Sequence, residues 1–199
     1  VGSEMCIRDR GVGDEGLYSE LTPPKSSGER WIGVAPFAKH KGKIYPLDRM
    51  EKVVSKLSEE SRVKIFLFGS GDREREILSL WRERYPGVIS LADKRYGFAV
   101  ELSLMSRLDV MISMDSANMH LASLVEVPVV SVWGATHPYC GFLGWRQSDS
   151  GVVELPLDCR PCSVFGNKPC YRKDYACLEI APETIVDRVK SLETLIKEK

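Results

Sequence analysis

The chain has 199 residues, with 28 Lys plus Arg against 28 Asp plus Glu, so its formal net charge at pH 7 is zero. That length suits one domain of ordinary size with a sizeable core, and the balanced charge offers neither a basic field for nucleic acid nor an acidic solvating arm. No apolar run approaches the roughly 18 residues that span a bilayer and no signal-peptide apolar region opens the chain, so the sequence reads as soluble and unmarked for export.

In chain order, the first segment reads as foreign to the fold. Val1 to Arg10 (VGSEMCIRDR) lacks an initiator Met and has neither helical nor strand periodicity, as expected of translated adapter read-through. Gly11-Val12-Gly13-Asp14-Glu15-Gly16 matches the dinucleotide-binding glycine pattern, yet no apolar strand precedes it and Thr22-Pro23-Pro24 follows where a helix should run. Residues 1–29 are therefore expected to be a non-native or linker segment without fixed structure, and structured sequence is expected from Arg30-Trp31.

From there strands and helices alternate. Trp31 to Phe37 reads as a strand, Leu47 to Leu57 as an amphipathic helix, Lys64 to Gly69 as a strand and Arg73 to Arg84 as a helix. A short strand follows at Val88 to Leu91, a helix at Phe98 to Arg107, and a buried strand at Asp109 to Ser113. The turn Met114 to His120 then leads into a helical pattern at Leu121 to Leu124. Val127 to Trp133 reads as a further buried strand and Ala181 to about Leu195 as a closing helix. Near-continuous apolar strands between helices of about ten residues predict an α/β fold, a Rossmann-like parallel sheet with helices on both faces.

Such a sheet binds ligands outside the carboxyl ends of its strands, so the polar turns there are the candidate site. The turn Met114-Asp115-Ser116-Ala117-Asn118-Met119-His120 places free backbone N–H groups and a helix dipole at one spot, which favours phosphate. Asp115, Ser116 and His120 add an acceptor, a hydroxyl and an imidazole, although a histidine in a helix's first turn also serves simply as a polar residue with a backbone partner. No Gly-x-Ser-x-Gly elbow surrounds Ser116, which argues against a serine hydrolase. Gly134-Ala135-Thr136-His137-Pro138 forms a second polar turn. Lys39, Lys41 and Lys43 with His40 could meet a pyrophosphate or be merely solvated. After Gly69-Ser70-Gly71, Asp72 and Glu74 either contact a ligand or stabilise the helix start through its dipole.

The run DSANMHLASLVEVPVVSVWGATHP resembles the donor-site region of the family 9 glycosyltransferases, the group containing the ADP-heptose:lipopolysaccharide heptosyltransferases. Members typically show an Asp-Ser-Gly-Pro-Met-His-type turn, a Pro-Val-Val strand and a Phe-Gly-x-Thr-x-Pro turn. Here Ala117-Asn118 replaces Gly-Pro and Trp133 replaces Phe, while Lys43-Ile44-Tyr45-Pro46 matches a Lys-x-Trp-Pro element with Tyr for Trp. The resemblance covers roughly residues 31 to 196.

It implies the C-terminal, donor-binding domain of a GT-B enzyme, two Rossmann-like domains facing across a cleft, and an inverting transfer of a heptose-like sugar. The donor would be a nucleotide-diphosphate sugar resembling ADP-heptose, and the acceptor a lipopolysaccharide or other surface glycan, lipid-linked. The implied donor contacts are Lys43, Asp115, Ser116, Ala117, Asn118, Met119, His120 and Thr136, with Glu74 or Asp72 on the ribose and Tyr96 stacking on the base or simply packing. The family's general base lies in the N-terminal domain and has no counterpart here, so the catalytic residue is expected outside this chain. No Asp-x-Asp pair occurs, so cationic side chains and backbone are expected to replace a metal clamp and no cofactor is expected for catalysis. The implied location is cytoplasmic, with peripheral association at the inner face of the cytoplasmic membrane.

Cys159, Cys162, Cys170 and Cys177 fall within 19 positions of a loop at 157–178. Their spacing suits a structural zinc held by four thiolates, two disulfides, or a reduced loop; a cytoplasmic location disfavours the disulfides. Two other functions stay open at this point: a sugar-nucleotide epimerase of GT-B shape, and a non-catalytic nucleotide-binding or zinc-organised module.

Overall fold

A computed structural model of the protein describes residues 14–197. The adapter-like Val1 to Arg10 and the start of the glycine pattern, Gly11 to Gly13, lie outside the described residues.

Six parallel strands form one sheet: β1 (Arg30–Ala35), β2 (Val63–Leu67), β3 (Val88–Ser90), β4 (Val110–Met114), β5 (Val129–Trp133) and β6 (Val152–Glu154). Their order is β3-β2-β1-β4-β5-β6. Ile32 on β1 stands opposite Ile65 on one side and Val110 on the other. The chain thus starts at the centre of the sheet, winds to one edge, and returns to build the other half. That reversal makes β1 and β4 the topological switch point, where the loops leaving the two strands diverge and open a crevice.

Both faces are covered, which is why the strands are apolar on both sides. On one face Ile32, Val34, Ile65 and Ile112 pack against α2 (Leu47–Ser58) and α6 (Pro182–Lys197). In α2 the buried residues Met50, Val53, Val54 and Leu57 repeat at helical spacing, the stripe an amphipathic helix turns to a core. α3 (Asp72–Arg84) joins this layer with only Leu78 and Trp81 buried. On the other face Trp31, Phe66, Met111 and Trp133 meet α4 (Phe98–Met105) and α5 (Ala117–Leu124). Each fully buried side chain of this size contributes about 1.5–3 kcal/mol.

Two features depart from the sequence reading. β6 has three residues, of which only Val153 is buried, too short to register as a periodic run. The segment expected to be linker is ordered from Asp14 onward. Asp14 accepts a hydrogen bond from the Gly16 amide at 2.9 Å and caps α1 (Glu15–Tyr18), a single turn. Tyr18 is buried, edge-on to Trp31 with ring centroids 6.0 Å apart. Polar ties hold the rest of the segment: Lys25 Nζ to Asp109 Oδ2 at 2.7 Å, and Lys64 Nζ to Glu29 Oε1 at 2.8 Å. One buried aromatic ring among residues 14–29 leaves no periodicity to read, yet with these ties it seats the segment on the sheet.

Arg30 binds Glu60 Oε2 and Glu193 Oε2, each at 2.5 Å, and joins β1 to the end of α2 and to α6. Burial pushes the Glu60 carboxyl up, but hydrogen bonds from Arg30 and Lys190 outweigh it and hold the group below its usual value. A carboxyl whose pKa is lower folded than unfolded contributes stability above the unfolded value and loses it as pH falls toward the folded one. The melting temperature should therefore fall on acidification through the carboxylate range, and less steeply in Glu60→Gln; equal slopes in the two proteins would show that Glu60 contributes nothing.

Candidate functional site

Three polar turns meet at the carboxyl ends of β1, β4 and β5. After β1 the chain makes a 3-10 turn at Lys41–Lys43, and Pro46 stops it at the start of α2. Tyr45 anchors the turn: its backbone N–H meets Met114 Sδ at 3.4 Å and its hydroxyl donates to the Ile180 carbonyl at 2.7 Å. Burial pushes the Tyr45 hydroxyl up to about 12, so it stays a neutral donor.

The β1 turn docks on the β5 turn through the Ala135 amide, which donates to the Gly42 carbonyl at 2.8 Å. This close approach needs glycine on both sides. A Cβ on Gly42 would meet Ala135 Cβ, and one on Gly134 would collide with the Gly42 carbonyl oxygen and with Leu178. Gly134→Ala should therefore lower stability by about 1–3 kcal/mol, the range for overpacking, and loosen the two turns. Chemical unfolding measures the first effect; an unchanged unfolding midpoint would mean that the turns do not need this contact.

Docking brings three side chains together. Lys43 Nζ lies 2.9 Å from Asp115 Oδ2, and Thr136 Oγ1 donates to the same oxygen at 2.7 Å. The side chains of Asp115 and Lys43 are 5% and 15% exposed, and Thr136 is buried. Asp115 Oδ1 accepts no hydrogen bond among the described residues, so the carboxylate keeps one oxygen for a ligand. Next to it α5 begins at Ala117 with no side-chain cap, which leaves backbone N–H groups and the positive end of the helix dipole available to an anion. Ser116 is half-buried, its Oγ 3.2 Å from Ser113 Oγ. Ala117 and His120 are exposed and Asn118 half-buried, around the same opening.

Other expected contacts fall elsewhere. The Met119 side chain is buried in the core, so only its backbone faces the turn. Glu74 uses Oε2 to accept from the Ser70 amide at 2.8 Å, which closes the glycine turn after β2. It lines a separate cleft of about 670 Å³ with Phe37, Lys41, Arg73 and Tyr175, whose wall is the same loop that carries Lys43. Asp72 pairs with Arg75 at 2.5 Å. Tyr96 packs against the core, with Lys94 Nζ 4.8 Å over its ring. No contact among the described residues joins Glu74 or Tyr96 to Asp115.

The cysteine loop corrects a further expectation. Cys159, Cys162, Cys170 and Cys177 are free thiols, and among the described residues no group of three or more His, Cys, Asp or Glu gathers to hold a metal ion. The thiols instead meet oxygens: Cys162 Sγ donates to the Cys159 carbonyl at 3.7 Å and Cys170 Sγ to Asp174 Oδ1 at 3.9 Å. Burial pushes the Cys177 thiol up to about 11 and raises that of Cys162. The four-thiolate zinc, one of the three states the spacing allowed, is not gathered among the described residues, and the loop carries another residue that the sequence reading passed over. The Arg160 side chain, 2% exposed, donates to the Gly134 carbonyl at 2.5 Å, to the Leu155 and Thr136 carbonyls at 2.7 and 2.8 Å, and to Glu154 Oε2 at 2.8 Å. Its position inside a Cys-x-x-Cys sequence drew attention to its neighbours instead. No helix among the described residues is long and apolar enough to cross a membrane.

Comparison with known proteins bears on the family and the fold. The family model of glycosyltransferase family 9 (heptosyltransferase) matches residues 14–170, which takes in the segment read as linker. Lipooligosaccharide heptosyltransferase 2 of Campylobacter jejuni subsp. jejuni serotype O:6 is 25% identical over 172 residues, 84% of this chain and 53% of that protein. The solved E. coli ADP-heptose lps heptosyltransferase II superposes with a TM-score of 0.70 at 19% identity, over 93% of this chain and 52% of that one. E. coli heptosyltransferase WaaC with ADP gives a TM-score of 0.63 at 16% identity, over 87% and 47%. The chain spans about half the length of these proteins, and its six-stranded sheet has their Rossmann-like fold. By a family match that covers most of its length, the chain belongs to glycosyltransferase family 9.

Proposed function

We propose that this chain forms the donor-binding, C-terminal half of an inverting glycosyltransferase that moves a heptose-like sugar from an ADP-linked donor to a lipopolysaccharide or related surface glycan. The observation that carries the reading is the cluster of Lys43, Asp115 and Thr136 at the switch point of the sheet, beside the uncapped start of α5. The cysteine loop, residues 157–178, and α6 belong to the same domain.

In a single displacement at the anomeric carbon the nucleoside diphosphate leaves with growing negative charge. Lys43 and the backbone N–H groups of Ala117 and Asn118 stabilise that charge, worth most where water is excluded. Asp115 Oδ1 accepts hydroxyl hydrogens of the donor sugar and so fixes the reacting carbon. Ser116 and His120 complete the rim, and Glu74 and Tyr96 are assigned to the nucleoside end. This distribution of positive charge needs no catalytic metal, in keeping with a sequence that has no Asp-x-Asp pair. The base that deprotonates the acceptor is assigned to a second domain of the kind the longer relatives have room for. A nucleotide-sugar donor and a lipid-linked acceptor support a location on the cytoplasmic side of the inner membrane, as a peripheral protein.

Calorimetric titration with ADP, UDP and GDP and with their sugar conjugates tests the reading. ADP should bind in preference to the other two, and at about 100 times the dissociation constant it should stabilise the fold by about 2.7 kcal/mol. His120→Ala should weaken binding a few-fold, the loss of one rim contact. A folded protein that binds none of the three diphosphates would contradict the assignment.

A further inference from the structure

Arg160 is nearly inaccessible, and its guanidinium spends its hydrogen bonds on one short stretch of backbone. Nε reaches the Gly134 carbonyl and Nη2 the Thr136 carbonyl, while the Cys162 amide, two residues on, donates to the Ala135 carbonyl at 2.8 Å. Three consecutive carbonyls of the β5 turn are therefore held by the segment 160–162. Nη1 ties the same side chain to Leu155, just past β6, and Nη2 to Glu154 on β6. Taking an arginine out of water is costly, and a buried ion pair is weak evidence for stability; the return is geometric, since a planar fork fixes several acceptors at once.

What the fork fixes is the residue that grips the site carboxylate. Thr136 gives its carbonyl to Arg160 and its hydroxyl to Asp115 Oδ2, the oxygen that also faces Lys43. We propose that Arg160 is a positioning residue of the donor site: by holding the Gly134 to Thr136 turn it keeps the Thr136 hydroxyl on Asp115 Oδ2, so that Oδ1 stays presented to the donor sugar. The proposal rests on the donor-site reading above. It assigns the cysteine-bearing loop a task independent of any metal, that of delivering Arg160 to the turn.

The test compares affinities for ADP and for an ADP-linked heptose, because the carboxylate is assigned to the sugar and not to the nucleotide. Arg160→Lys keeps a positive charge for Glu154 but cannot reach all three carbonyls. It should lower the affinity for the heptose conjugate about tenfold, the order of one hydrogen bond to a charged group, and leave that for ADP within about twofold. Thr136→Val removes only the hydroxyl and should give the same selective loss. Because both act through one contact, the double variant should be no worse than the worse single one. Equal losses for ADP and conjugate in Arg160→Lys, or effects of Arg160→Lys and Thr136→Val that add, would reduce Arg160 to a structural role and overturn the proposal. Should Arg160→Lys fail to fold, Thr136→Val alone still decides, since an undiminished preference for the conjugate breaks the relay. Asp115→Asn separates the two levels: if it leaves binding of the conjugate unchanged, the donor-site reading itself falls, and with it the role of Arg160.

Discussion

Lys43→Met is expected to destabilise the protein by about 3 kcal/mol or more and to lower the affinity for a nucleoside diphosphate at least tenfold. The stability loss follows from burial. Asp115 is 5% exposed and would keep only the Thr136 hydroxyl as a partner, and breaking a buried pair from one side typically costs about 3–5 kcal/mol. The binding loss follows from charge, because Lys43 is the cation that the geometry sets beside the uncapped start of α5. The double variant Lys43→Met, Asp115→Leu separates the two effects. Replacing both members of a buried pair by apolar groups is often close to neutral, so stability should largely return while binding does not. Urea unfolding and calorimetry on the three proteins measure this; binding that recovers with stability would show Lys43 to be a structural residue only.

Tyr18→Ala is expected to cost about 3–5 kcal/mol, the range for emptying a buried aromatic site. Tyr18 is buried and stands edge-on to Trp31, which in turn lies 4.8 Å from Phe66 between ring centroids. Removing it opens a cavity beneath α1 and undoes the contact between α1 and α4. The protease susceptibility of residues 14–29 should rise in parallel, since most of their remaining ties are hydrogen bonds and ion pairs near the surface, each worth little. A loss below about 1 kcal/mol by chemical unfolding would return the segment to the linker that its sequence suggested.

The parallel sheet was legible because its strands are buried on both sides. Ile32 to Ala35, Ile65 to Leu67, Val110 to Met114 and Val129 to Trp133 stand out as apolar runs whatever they pack against. Elements held by a few contacts were not. α1 rests on the Tyr18 ring and a few polar ties and β6 on Val153, and neither leaves a period in the sequence. The site was legible turn by turn, since Lys43, Asp115 and Thr136 each sit in a polar break after an apolar run. Their convergence depends on strand order, which is a property of the folded sheet: only with β1 and β4 adjacent do the two turns face each other. The burial of the Met119 side chain was legible too, because its helical spacing to Ala122 and Ser123 turns it inward with them. The cysteine spacing left the state of the thiols open because spacing records only which thiols are near in sequence. Where the loop lies is decided by the carbonyls that Arg160 needs.

The most direct test of the donor site is hydrogen exchange of the backbone amides with and without an ADP-linked heptose. The account predicts slower exchange at residues 41–45 and 115–120 on binding, the two turns at the switch point, and in Asp115→Asn a protection that is weakened at both. Protection confined to other surfaces, or unchanged in Asp115→Asn, would place the ligand elsewhere and contradict the account.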